Sequence, residues 1–489
     1  MSADLPKHLH VIGICGVAMS AIAIAFHKRV VKVTGSDKGF FPPVSTELEK
    51  QGVAFYAGWH PERFDMEGKP DLIMVGTASG TQNPETLYAV EHGIPMLSYP
   101  EVLGKFFVKE KSVVCAGTWG KTSSSALLSF IFEQAKLDPS YMFGGVSLSH
   151  ESSAKLGLSD WSVFEGDEYK SSPTDLRAKF FHYRPTHLLL TGVSWDHADL
   201  YPTEAEYFDT FKKLLSTLPT DPSKGFVVAC ADNDGVSKVL SSFKGKTVFY
   251  GRAGGMISMQ PEYTYKNARQ SENGIDFVIS HTGKDFNVHS PMLGLYQCEN
   301  LTGCFAMAYE LGIQPEIIVE TISKFKGLKR RMEKRSQNGT GIDIEQTGTT
   351  VIDDIAHSPE KATSVLATLR QIYQGKIIAV FEPNIGGREH ESAAKYDNAF
   401  NDADIVVIPR LTKLKVAANA SEQPMEGAEL AQTIGKTHPD ARYIEDDEEL
   451  IGFLAAQTTN ADSKNDGDVI AFLGSHGFRG MIEALTKSS

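Results

Sequence analysis

Residues 114–124 read V-C-A-G-T-W-G-K-T-S-S. The run S-V-V-C-A at 112–116 has the length and composition of a buried strand, and it stops at Gly117. Gly117 and Gly120 bracket Thr118 and Trp119. Lys121, Thr122 and Ser123 then open a segment in which Leu127, Leu128, Phe130 and Ile131 recur at helical spacing. A strand, a glycine-rich turn and Lys-Thr at the head of a helix form a phosphate-loop arrangement. Glycines let backbone N–H groups converge on phosphate oxygens, and the helix directs its positive end to the same place. Lys121 supplies a mobile cation for the terminal phosphates, and Thr122 offers a hydroxyl to Mg²⁺. The general pattern has a glycine where this chain has Cys115. A lone glycine turn would read as a plain strand–turn–helix. The complete G-T-W-G-K-T run favours the phosphate reading.

Outward from this loop, strand-like runs alternate with helical patterns. L-H-V-I-G-I (9–14), D-L-I-M-V-G (71–76) and I-P-M-L (94–97) precede it. W-S-V-F-E-G (161–166), H-L-L-L-T-G-V (187–193) and F-V-V-A-C-A (226–231) follow. T-T-V-I-D-D (349–354), K-I-I-A-V-F-E-P (376–383), A-D-I-V-V-I-P (403–409) and D-V-I-A-F-L-G (468–474) form a third group. This rhythm predicts an α/β protein with parallel sheets covered by helices. Residues 252–291 read as a small antiparallel insertion. At 489 residues the length prior is about three domains. Linkers are expected near 104–111 and 335–348, giving domains over 1–108, 109–336 and 337–489.

Composition narrows the function classes. The chain is 41% hydrophobic and 22% charged, with a formal charge of −13. That balance argues against a nucleic-acid partner, which calls for a basic face. Local Lys and Arg clusters can still bind anionic substrates. Five cysteines, at 15, 115, 230, 298 and 304, lack CxxC spacing, so neither a disulfide framework nor a zinc site is suggested. Free thiols, the lack of a signal-peptide pattern and the lack of a long apolar run predict a cytoplasmic protein that does not engage a membrane.

Two acidic clusters fall at expected strand ends. F-E-G-D-E-Y (164–169) carries Glu165, Asp167 and Glu168, and S-W-D-H-A-D (194–199) carries Asp196, His197 and Asp199. In a parallel sheet the strand C-termini share one edge, where ligands bind. Thr122, Glu165 and His197 are therefore expected to converge beside a triphosphate.

G-T-W-G-K-T-S-S, E-G-D-E-Y, D-H-A-D and D-D-I-A-H-S-P (353–359) resemble, in that order, the motifs of the Mur ligases, ATP-dependent enzymes of bacterial cell-wall synthesis. The resemblance spans essentially the whole chain. It implies an N-terminal Rossmann-like UDP-binding domain, a central P-loop domain and a C-terminal Rossmann-like domain. It implies an acyl-phosphate mechanism with ATP and Mg²⁺ as cofactors. Lys121, Glu165 and His197 would be catalytic, with Thr122 and Glu165 on one Mg²⁺ and His197 on a second. ATP would contact Gly117, Thr118, Gly120, Lys121, Thr122, Ser123 and Asn300, together with Arg330 or Arg331, Asp353 or Asp354, and His357. Gly13, Gly16, Ser36 and Asp37 would hold the UDP moiety. H-Y-R-P (182–185), F-K-G-L-K-R-R-M-E (325–333), A-V-F-E-P-N (379–384) and G-S-H-G-F-R-G (474–480) are most similar to the branch that joins L-Ala-γ-D-Glu-meso-diaminopimelate to UDP-N-acetylmuramate in peptidoglycan recycling. The branch that adds L-alanine is the alternative. Trp119, Tyr296-Gln297 and Ser358 stand where the family usually has histidine, His-Asn and histidine. Several relatives carry a carbamylated lysine where Lys212 lies, and here a plain surface lysine is expected.

Overall fold

The computed structural model describes residues 4–40, 44–76, 82–255, 259–335, 349–413, 423–458 and 467–486. Its chain forms three sheets. The first has five strands in the order 3-2-1-4-5 along the chain, and its neighbours are parallel. Strand His8–Ile12 lies at its centre, and the all-buried sequence HLHVI reflects cover on both faces. The second sheet has ten strands. Its parallel heart runs Trp161–Gly166, Lys111–Ala116, His187–Leu190, Phe226–Cys230, Thr247–Arg252. The segments Tyr263–Ser271, Gly274–His281 and Lys284–Ser290 extend one edge as strands, where the insertion was expected. The third sheet has six strands and is parallel except for its pairing with the two-residue strand Glu333–Lys334.

These sheets fall into two compact units. One comprises 1–268, 276–290 and 296–326, and the other 269–275, 291–295 and 327–489. The first sheet and most of the second thus belong to one unit. The reason lies at 103–107. A linker was expected near 104–111, but Leu103–Phe107 forms a buried π-helical turn. Phe106 and Phe107 pack on Phe26 with ring centroids 5.5 and 5.6 Å apart. One continuous apolar cluster then joins Val11 and Phe26 to Val114, Phe180 and Leu190. The expected linker at 335–348 lies, from 336 onward, outside the described residues.

A buried polar network braces the first sheet. Glu85 accepts from Ser36 Oγ at 2.5 Å and from the His60 N–H at 2.9 Å, and His10 Nε2 lies 3.3 Å away. Thr34 Oγ1 links His10 to His8 at 2.9 Å on each side. Burial pushes the Glu85 carboxyl up, but the bonds from His10, Ser36 and the His60 N–H outweigh it and hold it below the usual range. A group with a depressed folded-state pKa stabilises the fold above its unfolded value, about 4.3. That contribution is lost as pH falls through the folded value. Glu85→Ala leaves His10, Ser36 and the His60 N–H without their partner and costs about 3 kcal/mol. Denaturant unfolding at neutral pH checks this, and the gap between variant and parent narrows in acid.

No helix among the described residues is long and apolar enough to cross a membrane. All five cysteines are unpaired.

Candidate active site

The loop between strand Lys111–Ala116 and helix Lys121–Gln134 is built by two glycines. Gly117 has φ +139, and a Cβ there would lie 2.4 Å from Thr191 Oγ1 and 2.6 Å from the Gly192 carbonyl. Gly120 has φ +75, and its Cβ would lie 2.3 Å from Asn300 Oδ1. At Gly117 the backbone of Gly192 leaves no room for a Cβ, and at Gly120 a Cβ would be strained and would displace Asn300. The end of the neighbouring strand clamps the loop. Thr118 N donates to Gly192 O at 2.6 Å, and Thr191 Oγ1 donates to Trp119 O at 2.5 Å. Thr118 Oγ1 donates to Ser194 O, accepts from Ser194 N, and lies 3.0 Å from Tyr207 Oη. The sequence expectation thus brings Gly117, Thr118, Gly120 and Asn300 together. Ser123 follows in the first helical turn, half-buried. Trp119 is exposed beside Gly192.

Thr122 Oγ1 donates to Glu165 Oε1 at 2.7 Å, and the Gly144 N–H donates to Glu165 Oε2 at 2.5 Å. Glu165 is in register with Cys115 on the adjacent strand, so the sheet itself sets this carboxylate beside the loop. A hydroxyl and a carboxylate side by side are hard oxygen donors of the kind Mg²⁺ prefers. His197 stands beside Glu168. Its Nε2 lies 3.6 Å from Glu168 Oε1, and its backbone is left-handed at φ +55. Its N–H donates to Asp196 Oδ1, its carbonyl accepts from Leu200 and Tyr201, and its ring packs edge-on against Tyr169 at 5.4 Å. Among the described residues, the only trio of His, Cys, Asp or Glu ligand atoms mutually within 4.8 Å is Cys230, Asp232 and Glu299.

Asp167 is engaged by Lys179 at 2.5 Å. Glu168 takes Lys121, whose Nζ lies 2.9 and 2.7 Å from its two oxygens. Burial raises the Glu168 carboxyl above the ordinary range, and Lys121 opposes the shift. Sequence reasoning noted Glu168 but gave it no role, and it missed Tyr207 and Thr191. A third acid in E-G-D-E was the available signal for Glu168. Tyr207 and Thr191 carried none. Lys212 is exposed on helix Glu204–Ser216, as expected.

At the N-terminal loop, Gly13 has φ +84, and its N–H donates to Ser36 O at 2.8 Å. Asp37 Oδ2 accepts the Cys15 N–H at 2.9 Å, and Gly16 caps helix Val17–His27. Ser36 corrects the expectation: its hydroxyl is fully buried on Glu85, and only its carbonyl reaches the loop.

In the second unit, Arg330 does not present a free guanidinium. It donates to the carbonyls of Gly474, Ser475 and His476 and to Asp353. Asp353 also accepts from Arg335, and Asp354 accepts the N–H groups of Met332 and Ala356. Arg331 is exposed and His357 half-buried. Ser358 caps helix Pro359–Ile372 by accepting the Lys361 N–H, a role that suits serine at this position.

The sequence matches three descriptions: "Mur ligase family, catalytic domain" over 8–110, "Mur ligase middle domain" over 115–308, and "Mur ligase, glutamate ligase domain" over 330–476. The chain belongs to the Mur ligase family. It is therefore an ATP-dependent ligase that forms an amide bond. A relative from Escherichia coli (strain K12), UDP-N-acetylmuramate–L-alanyl-gamma-D-glutamyl-meso-2,6-diaminoheptandioate ligase, is 31% identical over 379 residues, covering 77% of this chain and 78% of its own. UDP-N-acetylmuramate–L-alanine ligase from Rhizorhabdus wittichii is 29% identical over 496 residues, covering 98% of each. The crystal structure of UDP-N-acetylmuramate-alanine ligase from Thermotoga maritima shares the fold, with TM-score 0.75 and 22% identity over 98% of both chains. The two relatives are named for different acceptors and stand at similar identity to this Mur ligase.

Proposed function

We propose that this Mur ligase joins L-Ala-γ-D-Glu-meso-diaminopimelate to UDP-N-acetylmuramate. The observation that carries the chemistry is the juxtaposition of a glycine-built phosphate loop, Lys121 and the Thr122–Glu165 oxygen pair at one sheet edge. The substrate carboxylate attacks the γ-phosphorus of ATP, ADP leaves, and an acyl phosphate forms. The acceptor amine then attacks the carbonyl carbon, phosphate leaves, and the nitrogen sheds a proton. Both steps build negative charge, and both gain from preorganised positive groups. Backbone N–H groups of 119–122 hold the phosphates, while the Thr118 N–H stays on the Gly192 carbonyl; Lys121 meets the β/γ oxygens, and Asn300 borders the base. Thr122 and Glu165 would hold Mg²⁺, which supplies charge neutralisation at the transferring phosphoryl group. The loop at Gly13–Gly16, tethered by Asp37, takes the UDP pyrophosphate at a helix N-terminus.

The peptide acceptor is supported by the segments at 182–185, 325–333, 379–384 and 474–480 and by the relative of that specificity. The second reading, L-alanine as acceptor, is supported by a relative that covers nearly the whole chain. Phosphate release from ATP, Mg²⁺ and UDP-N-acetylmuramate distinguishes them. Release is expected with the tripeptide and not with L-alanine. Release with L-alanine alone moves the enzyme to the second reading.

A further inference from the structure

Glu168 is the most deeply buried acid around the loop, with its side chain 1% exposed. Both of its oxygens face Lys121 Nζ, at 2.9 and 2.7 Å. It is not free to follow the lysine. Tyr201 Oη donates to its backbone carbonyl at 2.5 Å, and Tyr207 Oη donates to Oε1 at 3.3 Å. Tyr207 also reaches Thr118 of the loop, and His197 Nε2 stands 3.6 Å from Oε1 on the other side. The cation needed by the terminal phosphates is thus already held by a fixed carboxylate. One ammonium group cannot give its full strength to both partners, and a carboxylate this close to a triphosphate repels it.

We propose that Glu168 is a positioning residue that docks Lys121 and competes with the nucleotide for it. This rests on the reading of the loop as the ATP site. Binding of ATP exchanges Lys121 from Glu168 to the phosphates, and His197 remains as the neighbour of the vacated carboxylate. The dock weakens nucleotide affinity and keeps the lysine ordered near its working position. A carboxylate that only supports the fold predicts the opposite sign, because its loss loosens the loop and weakens ATP binding.

The test is calorimetric titration of ATP into the full-length enzyme, with neither UDP-N-acetylmuramate nor acceptor present. Glu168→Gln keeps the shape and removes the charge, and it is expected to tighten ATP binding about 10-fold, the scale of a hydrogen bond to a charged group. Glu168→Asp withdraws the carboxylate by one methylene and is expected to fall between. It carries the test if the glutamine variant does not fold. In a Lys121→Met background the effect of Glu168→Gln should vanish. Unchanged or weaker binding by folded Glu168 variants overturns the proposal, as does a gain that persists without Lys121. If the parent enzyme fails to bind ATP at all, the reading of the loop falls first.

Discussion

Lys121→Ala lowers ligation by about 10³-fold or more, within the range for removal of a cation from a phosphoryl-transfer site. The side chain is 13% exposed and poised where the helix begins, and the neighbouring Lys179 is committed to Asp167. The substitution has a second effect that must be separated from the first. It strands Glu168, a carboxylate buried on every side. Removal of one partner from a buried pair costs about 3 kcal/mol, enough to lower the melting temperature of the variant. The double variant Lys121→Ala/Glu168→Gln takes away the stranded charge. Its melting temperature should recover most of the loss, while its turnover stays near that of Lys121→Ala. Thermal unfolding and product formation measured on the same samples check both halves. Substantial turnover by folded Lys121→Ala would remove the lysine from the chemistry.

Glu165→Ala raises the Mg²⁺ concentration for half-maximal activity by about 10- to 100-fold, the range known for weakening a metal's protein environment. Glu165 is set by strand register beside Cys115 and shares a hydrogen bond with Thr122. Its loss leaves the threonine hydroxyl as the one remaining oxygen of the pair. The other acids of E-G-D-E are already committed, Asp167 to Lys179 and Glu168 to Lys121. Asp167 cannot move in without breaking its ion pair, and Glu168, once ATP has drawn Lys121 away, stays anchored by Tyr201 and Tyr207. Saturating Mg²⁺ should restore a large part of the rate, because the lysine and the loop are intact. A Mg²⁺ dependence that does not move would place the metal on a different carboxylate.

The parallel sheets, the phosphate loop and the Thr122–Glu165 contact were legible in the sequence, because each rests on local pattern. Strand register alone carries Glu165 to the loop. Other features depend on side chains that meet from distant segments. Nothing in L-G-K-F-F at 103–107 shows that its phenylalanines will bury against Phe26. The resemblance made Ser36 a ligand contact, yet alternation along strand Lys32–Asp37 turns its hydroxyl to Glu85. Arg330 carried the charge of a phosphate contact, but a guanidinium also suits the three carbonyls at 474–476 that it gathers. His197 was placed at a strand end by its motif, and its neighbour there, Glu168 at 3.6 Å, comes from a separate strand end.

The clamp on residues 117–120 has an entropic consequence. Thr118, Thr191, Ser194 and Tyr207 fix the loop by hydrogen bonds on several sides, and its glycines hold positive φ angles that favour glycine. Glycine-rich loops lose the most conformational freedom on becoming ordered. Here that loss falls on folding. A nucleotide meets donors already aligned, and the free energy of each new phosphate contact goes into affinity and into the transition state.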